Sequence, residues 1–190
     1  MGLLALVCTL TSGCGGDGDS SGKSGTPKQV TVKEGKVTID GKVFPFPCKT
    51  DELTAILGKP SRRSEHSEGK GKPDTVVMVW DEQGIRCVEE PRKKTISFFA
   101  ITLQSAKGRT GGPAGTSIRP KTEFTGKITL DGITIERQAT PKQINEQLKG
   151  RTLAQSPKFP FIWSSVYHGA TVTVETDDAG ESIVEFSLRK

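Results

Sequence analysis

The residue types that do chemistry are sparse in this chain, and their spacing is poor. Only two histidines occur in 190 residues. His66 lies in the charged run RRSEHSEGKGKPD and His168 follows Tyr167 in a turn, neither with a carboxylate or cysteine at a metal-ligand interval. Nucleophile-elbow, Walker and H-E-x-x-H patterns are absent. Carboxylate pairs suited to acid–base work occur at Asp81-Glu82 and Asp177-Asp178, but both read as turns, where acids are routine. A shared pocket for the two pairs would be needed for hydrolysis. The expectation is therefore a non-enzyme with no catalytic, cofactor or metal site. Basic side chains are the richer class, with a net charge of +5. They cluster at Arg62-Arg63 with Lys70 and Lys72, at Arg92-Lys93-Lys94, and at Lys107, Arg109, Arg119 and Lys121. All fall in predicted loops. They are either solvated loop residues or contacts for an anionic partner such as a lipid headgroup, an envelope polymer or an acidic protein face. Single-strand nucleic acid would need aromatics interleaved with the cations. The aromatics here fall in strands instead, so no nucleic acid is expected.

Four cysteines divide by context. The apolar run Leu3–Leu10 is too short to span a bilayer and suits the h-region of a secretory signal. Thr11-Ser12-Gly13-Cys14, followed by GGDGDSSGKSGTPK, is similar to the lipobox of bacterial lipoproteins. That resemblance implies cleavage before Cys14, a diacylglycerol on its sulfur, and residues 14–35 as a flexible tether behind a signal peptide of residues 1–13. Gly15 rather than aspartate after the cysteine favours the outer membrane. The protein is thus expected in the bacterial envelope, attached to a membrane through its N-terminal lipid. In an oxidising compartment the remaining pair, Cys48 and Cys87, is a disulfide candidate. Buried reduced thiols are the other reading.

The elements that would carry these residues come from a repeat. KVTIDGKVFPFPCKTDELTAILGKP from Lys36 returns from Lys127 as KITLDGITIERQATPKQINEQLKG, at an offset of 91 residues. Ile39, Leu53 and Leu57 fall on Leu130, Ile144 and Leu148. Each copy opens with a strand–DG–strand hairpin. Pro45 and Pro47 place the second strand of the first hairpin at an edge. A helix of about two turns follows, from Thr50 in one copy and from Thr140-Pro141-Lys142-Gln143 in the other. Three strands complete each unit, with Trp163 standing where Trp80 stands. The predicted fold is α+β: two homologous ββαβββ halves, residues 36–104 and 124–190, each a mainly antiparallel sheet packed by one short helix. Residues 105–123 would link them.

The run ELTAILGKPSR, followed by VVMVWDEQGIRC, resembles a bacterial domain with the pattern LG-P-R … WDE-GI, for which no activity is implied. More distantly the layout is similar to small outer-membrane-assembly lipoproteins and to the tandem-repeat β-lactamase inhibitor protein, whose two helix-plus-sheet units form a concave binding surface. These resemblances imply an envelope-anchored lipoprotein that binds another protein. The alternative is a polyanion-binding protein that uses Arg62, Arg63, Lys70, Lys72, Arg92, Lys93 and Lys94.

Overall fold

The computed structural model describes residue 25 and residues 27–67, 73–104, 118–148 and 150–190. The signal peptide, Cys14, Lys70, Lys72, Lys107 and Arg109 lie outside the described residues.

The chain begins with β1 (Gln29–Lys33), followed by the hairpin of β2 (Lys36–Ile39) and β3 (Lys42–Pro45). A two-residue β4 (Cys48–Lys49) leads into α1 (Thr50–Leu57). Then come β5 (Arg62–His66), β6 (Thr75–Trp80), a 3-10 turn at Asp81–Gln83, β7 (Ile85–Glu90) and β8 (Thr95–Thr102). The second series is β9 (Lys127–Leu130), β10 (Ile133–Ile135), α2 (Pro141–Gln147), β11 (Ala154–Gln155), β12 (Ile162–Tyr167), β13 (Ala170–Thr176) and β14 (Ile183–Arg189). The architecture is α+β, dominated by antiparallel sheet with two short helices.

The strands form two sheets. The smaller runs β10-β9-β1-β2-β3; the larger runs β11-β12-β13-β14-β8-β7-β6-β5, with β4 added beside β8. Both hairpins therefore join one sheet and both three-stranded meanders join the other. This differs from the expectation that each half would own its sheet. The reason is burial: a hairpin alone is marginal in water, and here one face of the five-stranded sheet supplies Val30, Val32, Val37, Ile39, Ile128 and Leu130 to a core shared with Phe99, Val172, Val174 and Leu188 of the larger sheet. Leu53 and Leu57 of α1 and Ile144 and Leu148 of α2 enter the same cluster. Helices this short persist only through such packing.

Three segments differ from the sequence expectation. Residues 29–33, assigned to the tether, form β1 at the centre of the smaller sheet, parallel to β9 and antiparallel to β2. Their alternation QVTVK buries Val30 and Val32, the period-2 signature of a strand. The charged run from Arg62 forms β5, whose exposed edge position tolerates polar side chains on both faces. Trp163 does not stand in β12 as Trp80 stands in β6: Trp80 ends its strand, paired with Ile85, whereas Trp163 is the second residue of β12, which ends at Tyr167 paired with Ala170. Helix α1 starts at Thr50, as the sequence predicts, with Lys49 as its N-cap residue, and the Thr50 hydroxyl donates to Glu89 Oε1 at 2.8 Å.

The expected Cys48–Cys87 disulfide is absent, and both are buried free thiols. Cys48 pairs with Ile96 on one side of β8, while Cys87 pairs with Phe99 on the other. Two strand spacings put their Cα atoms about 9–10 Å apart or more, beyond the roughly 7 Å a disulfide can bridge. Burial, with help from Glu52, pushes the Cys48 thiol up to about 12. Burial also raises Cys87 well above its ordinary value. Both behave as small hydrophobes.

Candidate recognition groove

An open recess lies between the edge strand β10 and helix α2, and local sequence explains its shape. Asp131 and Gly132 take positive φ, 53° and 88°, which closes β9 onto β10 with a two-residue turn. Ile133 then pairs with Leu130, Thr134 with Thr129 and Ile135 with Ile128. On β9 the odd-numbered residues bond towards β1: Lys127 N donates to Lys28 O at 2.8 Å, and Asp131 N to Val32 O at 2.9 Å. The even-numbered residues consequently bond β10 through Ile133 and Ile135. The N–H and C=O of Thr134 point outward from the sheet edge.

The opposite wall is α2. Thr140 and Gln143 cap it reciprocally: Thr140 N donates to Gln143 Oε1 at 2.8 Å, and Gln143 N to Thr140 Oγ1 at 3.3 Å. Pro141 occupies the first turn, where no N–H partner is needed. Asn145 fixes the following chain by a two-way bond to the backbone of Leu153, 2.7 and 3.0 Å. With Ile144 and Leu148 turned into the core, Gln143, Glu146 and Gln147 face the recess. Gly132, Ile133, Thr134, Glu136, Gln138 and Ala139 complete a groove of about 820 Å³. Among the described residues its charged lining is Glu136 and Glu146, both exposed. A local acidic surface therefore sits on a chain of net charge +5.

The basic residues singled out in the sequence are distributed differently. Arg62 makes two 2.7 Å bonds to the Asp81 carboxylate, and its Nη2 also donates to Arg119 O at 2.8 Å. The guanidinium holds the Asp81 carboxyl below its usual range, helped by the Lys121 N–H at 2.9 Å. Arg63 reaches Glu89 at 3.3 Å and Glu65 at 3.8 Å. Arg92 pairs with Asp74 at 3.6 Å and Lys93 with Glu90 at 2.6 Å. Arg92, Lys93 and Lys94 share the exposed β7–β8 turn, and the Lys94 carbonyl receives the Thr50 N–H that starts α1. Arg62 lies at the other end of β5 and does not join that turn. Four of the five described candidates are thus neutralised by a carboxylate, and Arg62 works as an internal tie.

Two further ion pairs were not read from the sequence. Arg86 binds Glu185 at 2.7 and 3.0 Å, and Arg119 binds Glu175 at 2.7 and 2.8 Å. Glu175 and Glu185 stand directly opposite on β13 and β14, and burial beside this second carboxylate pushes the Glu175 carboxyl up despite Arg119. Arg86 inside the strand IRCVEE was the available signal, since a cation amid apolar strand residues must meet an acid. The Asp81 and Asp177 turns do not share a site. They end β6 and follow β13, four strand positions apart, or about 19 Å. Asp177 Oδ2 instead accepts the Ser182 hydroxyl at 2.6 Å within its own turn. Among the described residues no three His, Cys, Asp or Glu side chains are placed to hold a metal. No helix there is long and apolar enough to cross a membrane.

Neither the curated proteins nor the solved structures contain a match to this chain. One family model does match, over residues 29–145, from the first residue of β1 into α2. By that match the chain belongs to the family described as Domain of unknown function (DUF7738).

Proposed function

We propose that this protein is a non-catalytic binding module, anchored in the bacterial envelope by a lipid on Cys14, that holds a partner protein. The observation that carries the binding reading is the open groove between the outward-facing edge of β10 and the polar face of α2. Strand edges flanked by a helix are a recurring way to hold a partner's extended segment. The polyanion alternative has less support, because Arg62, Arg63, Arg92 and Lys93 already have carboxylate partners.

The scaffold is read as two homologous halves. Several features support a duplication beyond the sequence offset. Both hairpin turns carry Asp-Gly with positive φ, 47° and 82° at Asp40-Gly41 and 53° and 88° at Asp131-Gly132. Outward from the β8–β14 contact the larger sheet reads β7, β6, β5 on one side and β13, β12, β11 on the other. Phe99 pairs with Leu188; equating those two residues maps the Phe186–Ile101 pair onto Ser97 and Lys190, and Lys190 N donates to Ser97 O at 3.0 Å. β1 lies between the two hairpins, antiparallel to β2 and parallel to β9, on the line that would relate them.

The test is site-specific photocrosslinking in the native cell. A photoreactive residue at Gln147 should give one discrete adduct with another protein, whereas the same residue at Arg92 should not. Adducts absent from Gln147, or equal at both positions, would sink the binding reading. Anchoring is tested separately: Cys14→Ser should release the protein from membranes and abolish fatty-acid labelling.

A further inference from the structure

We infer that the β10–α2 groove takes an extended peptide segment bearing lysine or arginine, which adds to the five-stranded sheet as a sixth strand. This rests on the protein-binding reading and specifies its ligand. Three independent observations carry it. The outer edge of β10 presents an outward N–H and C=O at Thr134, the pair an added strand requires. Residues 132–134 form one wall of the recess and α2 the other, enclosing about 820 Å³, within the roughly 300–1,000 Å³ typical of ligand sites. The charge in that space is acidic alone, from Glu136 on the strand side and Glu146 on the helix side.

The lining chemistry selects against other occupants. Gln138, Gln143 and Gln147 offer amides and Thr134 a hydroxyl beside the apolar Ile133 and Ala139, so the groove offers partners for the backbone and polar groups of an extended segment as well as a place for its aliphatic stems. Among the described residues no aromatic ring lines it for stacking a base or a sugar, and an anionic ligand would meet the Glu136 and Glu146 carboxylates with no cation in the lining. The first half shows a contrasting solution. Its recess beside α1 measures about 240 Å³ and is lined by Gly25, Pro27, Lys28, Ile39, Asp40, Lys42 and Ile56, so two lysines stand there against one carboxylate. At the 91-residue offset Ile56 corresponds to Gln147 and Lys42 to Ile133. The core positions repeat while the groove positions do not, so only the second half is open to a cationic strand.

The experiment measures binding of two labelled heptapeptides, one alternating threonine with lysine and one alternating threonine with glutamate, to the full-length protein. The lysine peptide should bind and the glutamate peptide should not. The double variant Glu136→Gln/Glu146→Gln should weaken binding about fivefold to tenfold, since two exposed charge pairs contribute on that order, with its thermal midpoint unchanged. Hydrogen exchange at the Thr134 amide should slow when the lysine peptide is added. Thr134→Pro, which removes that N–H at an edge where proline is tolerated, should abolish binding. Absence of binding, equal binding of both peptides, or binding that leaves Thr134 exchange untouched would each overturn the inference. A Gln147 crosslink in cells combined with any of those results would retain the binding module and reject only the strand mode.

Discussion

Individual residues in this protein are mostly settled by what stands one strand away. Cys48 and Cys87 look like a bridge in sequence, yet β8 runs between them. Alkylation followed by peptide mapping should label neither cysteine in the native protein at pH 8, and both after unfolding without reductant. Failure to label the unfolded, unreduced protein would restore the disulfide. Asp81 is the other residue with a sharp expectation. It accepts two bonds from Arg62 and one from the Lys121 N–H, while its own backbone N–H is held by the Ser61 hydroxyl at 3.1 Å. Asp81→Asn should cost about 2 kcal/mol at pH 7, the scale of hydrogen bonds to a charged group. Its folded carboxyl lies below the ordinary value. That stability is therefore fully present above the unfolded value near 3.9, and it is lost as pH falls through the folded one. Urea unfolding of both forms should show the difference at pH 7 shrinking towards pH 2; an unchanged difference would exclude the charge as its source. Glu175 has the opposite sign, its raised carboxyl adding stability only as pH falls. The comparison must therefore be with wild type at each pH.

At the scale of elements, turns and crossings set the tolerances. Gly84 has φ +67°, and a Cβ there would lie 2.8 Å from the Phe124 Cα, where the chain after Ile118 crosses the end of the larger sheet. Gly41 has φ +82° but nothing within 4 Å of the same built atom. Gly41→Ala should cost about 1–2 kcal/mol for the left-handed backbone alone, and Gly84→Ala clearly more, because backbone must move. Equal thermal midpoints for the two variants would contradict this close approach. Phe124 N donates to Thr102 O at 2.8 Å, and Thr122 bonds Asp81 O through both its N–H and its hydroxyl, so the crossing is pinned at several points. Thr140→Ala, which removes the α2 cap, should cost about 1 kcal/mol. It would also weaken the groove wall, readable as faster exchange at the Gln143 amide.

At the scale of the whole molecule, one core serves both sheets and both helices. The protein should therefore unfold in a single calorimetric transition; two resolved transitions would show that the two sheets do not share one cooperative core. Phe99→Ala, at a fully buried position where β8 meets β14, should lower stability by about 3–5 kcal/mol without splitting the transition. Much of this was legible in the chain. The DG hairpins, the two stubby helices and the meander strands follow from local rules: turn residues that accept positive φ, caps, and apolar spacing at 2 or 3.6 residues. The short β5 and β11 were not, because an edge strand needs no apolar face. Nor was β1, whose alternation is plain but whose glycine- and serine-rich lead-in reads as tether. The residue sequence by itself determined the two Asp-Gly hairpins, the two short helices with their inward Leu53, Leu57, Ile144 and Leu148, and the apolar strands β6, β7, β8, β13 and β14. Only tertiary structure decided that hairpins pair with hairpins and meanders with meanders, that Arg62 and Arg119 face acids rather than solvent, and that an acidic groove opens beside β10. Those outcomes depend on which distant edges meet, and hydrogen bonding between strands is indifferent to side-chain pattern until burial selects the partner.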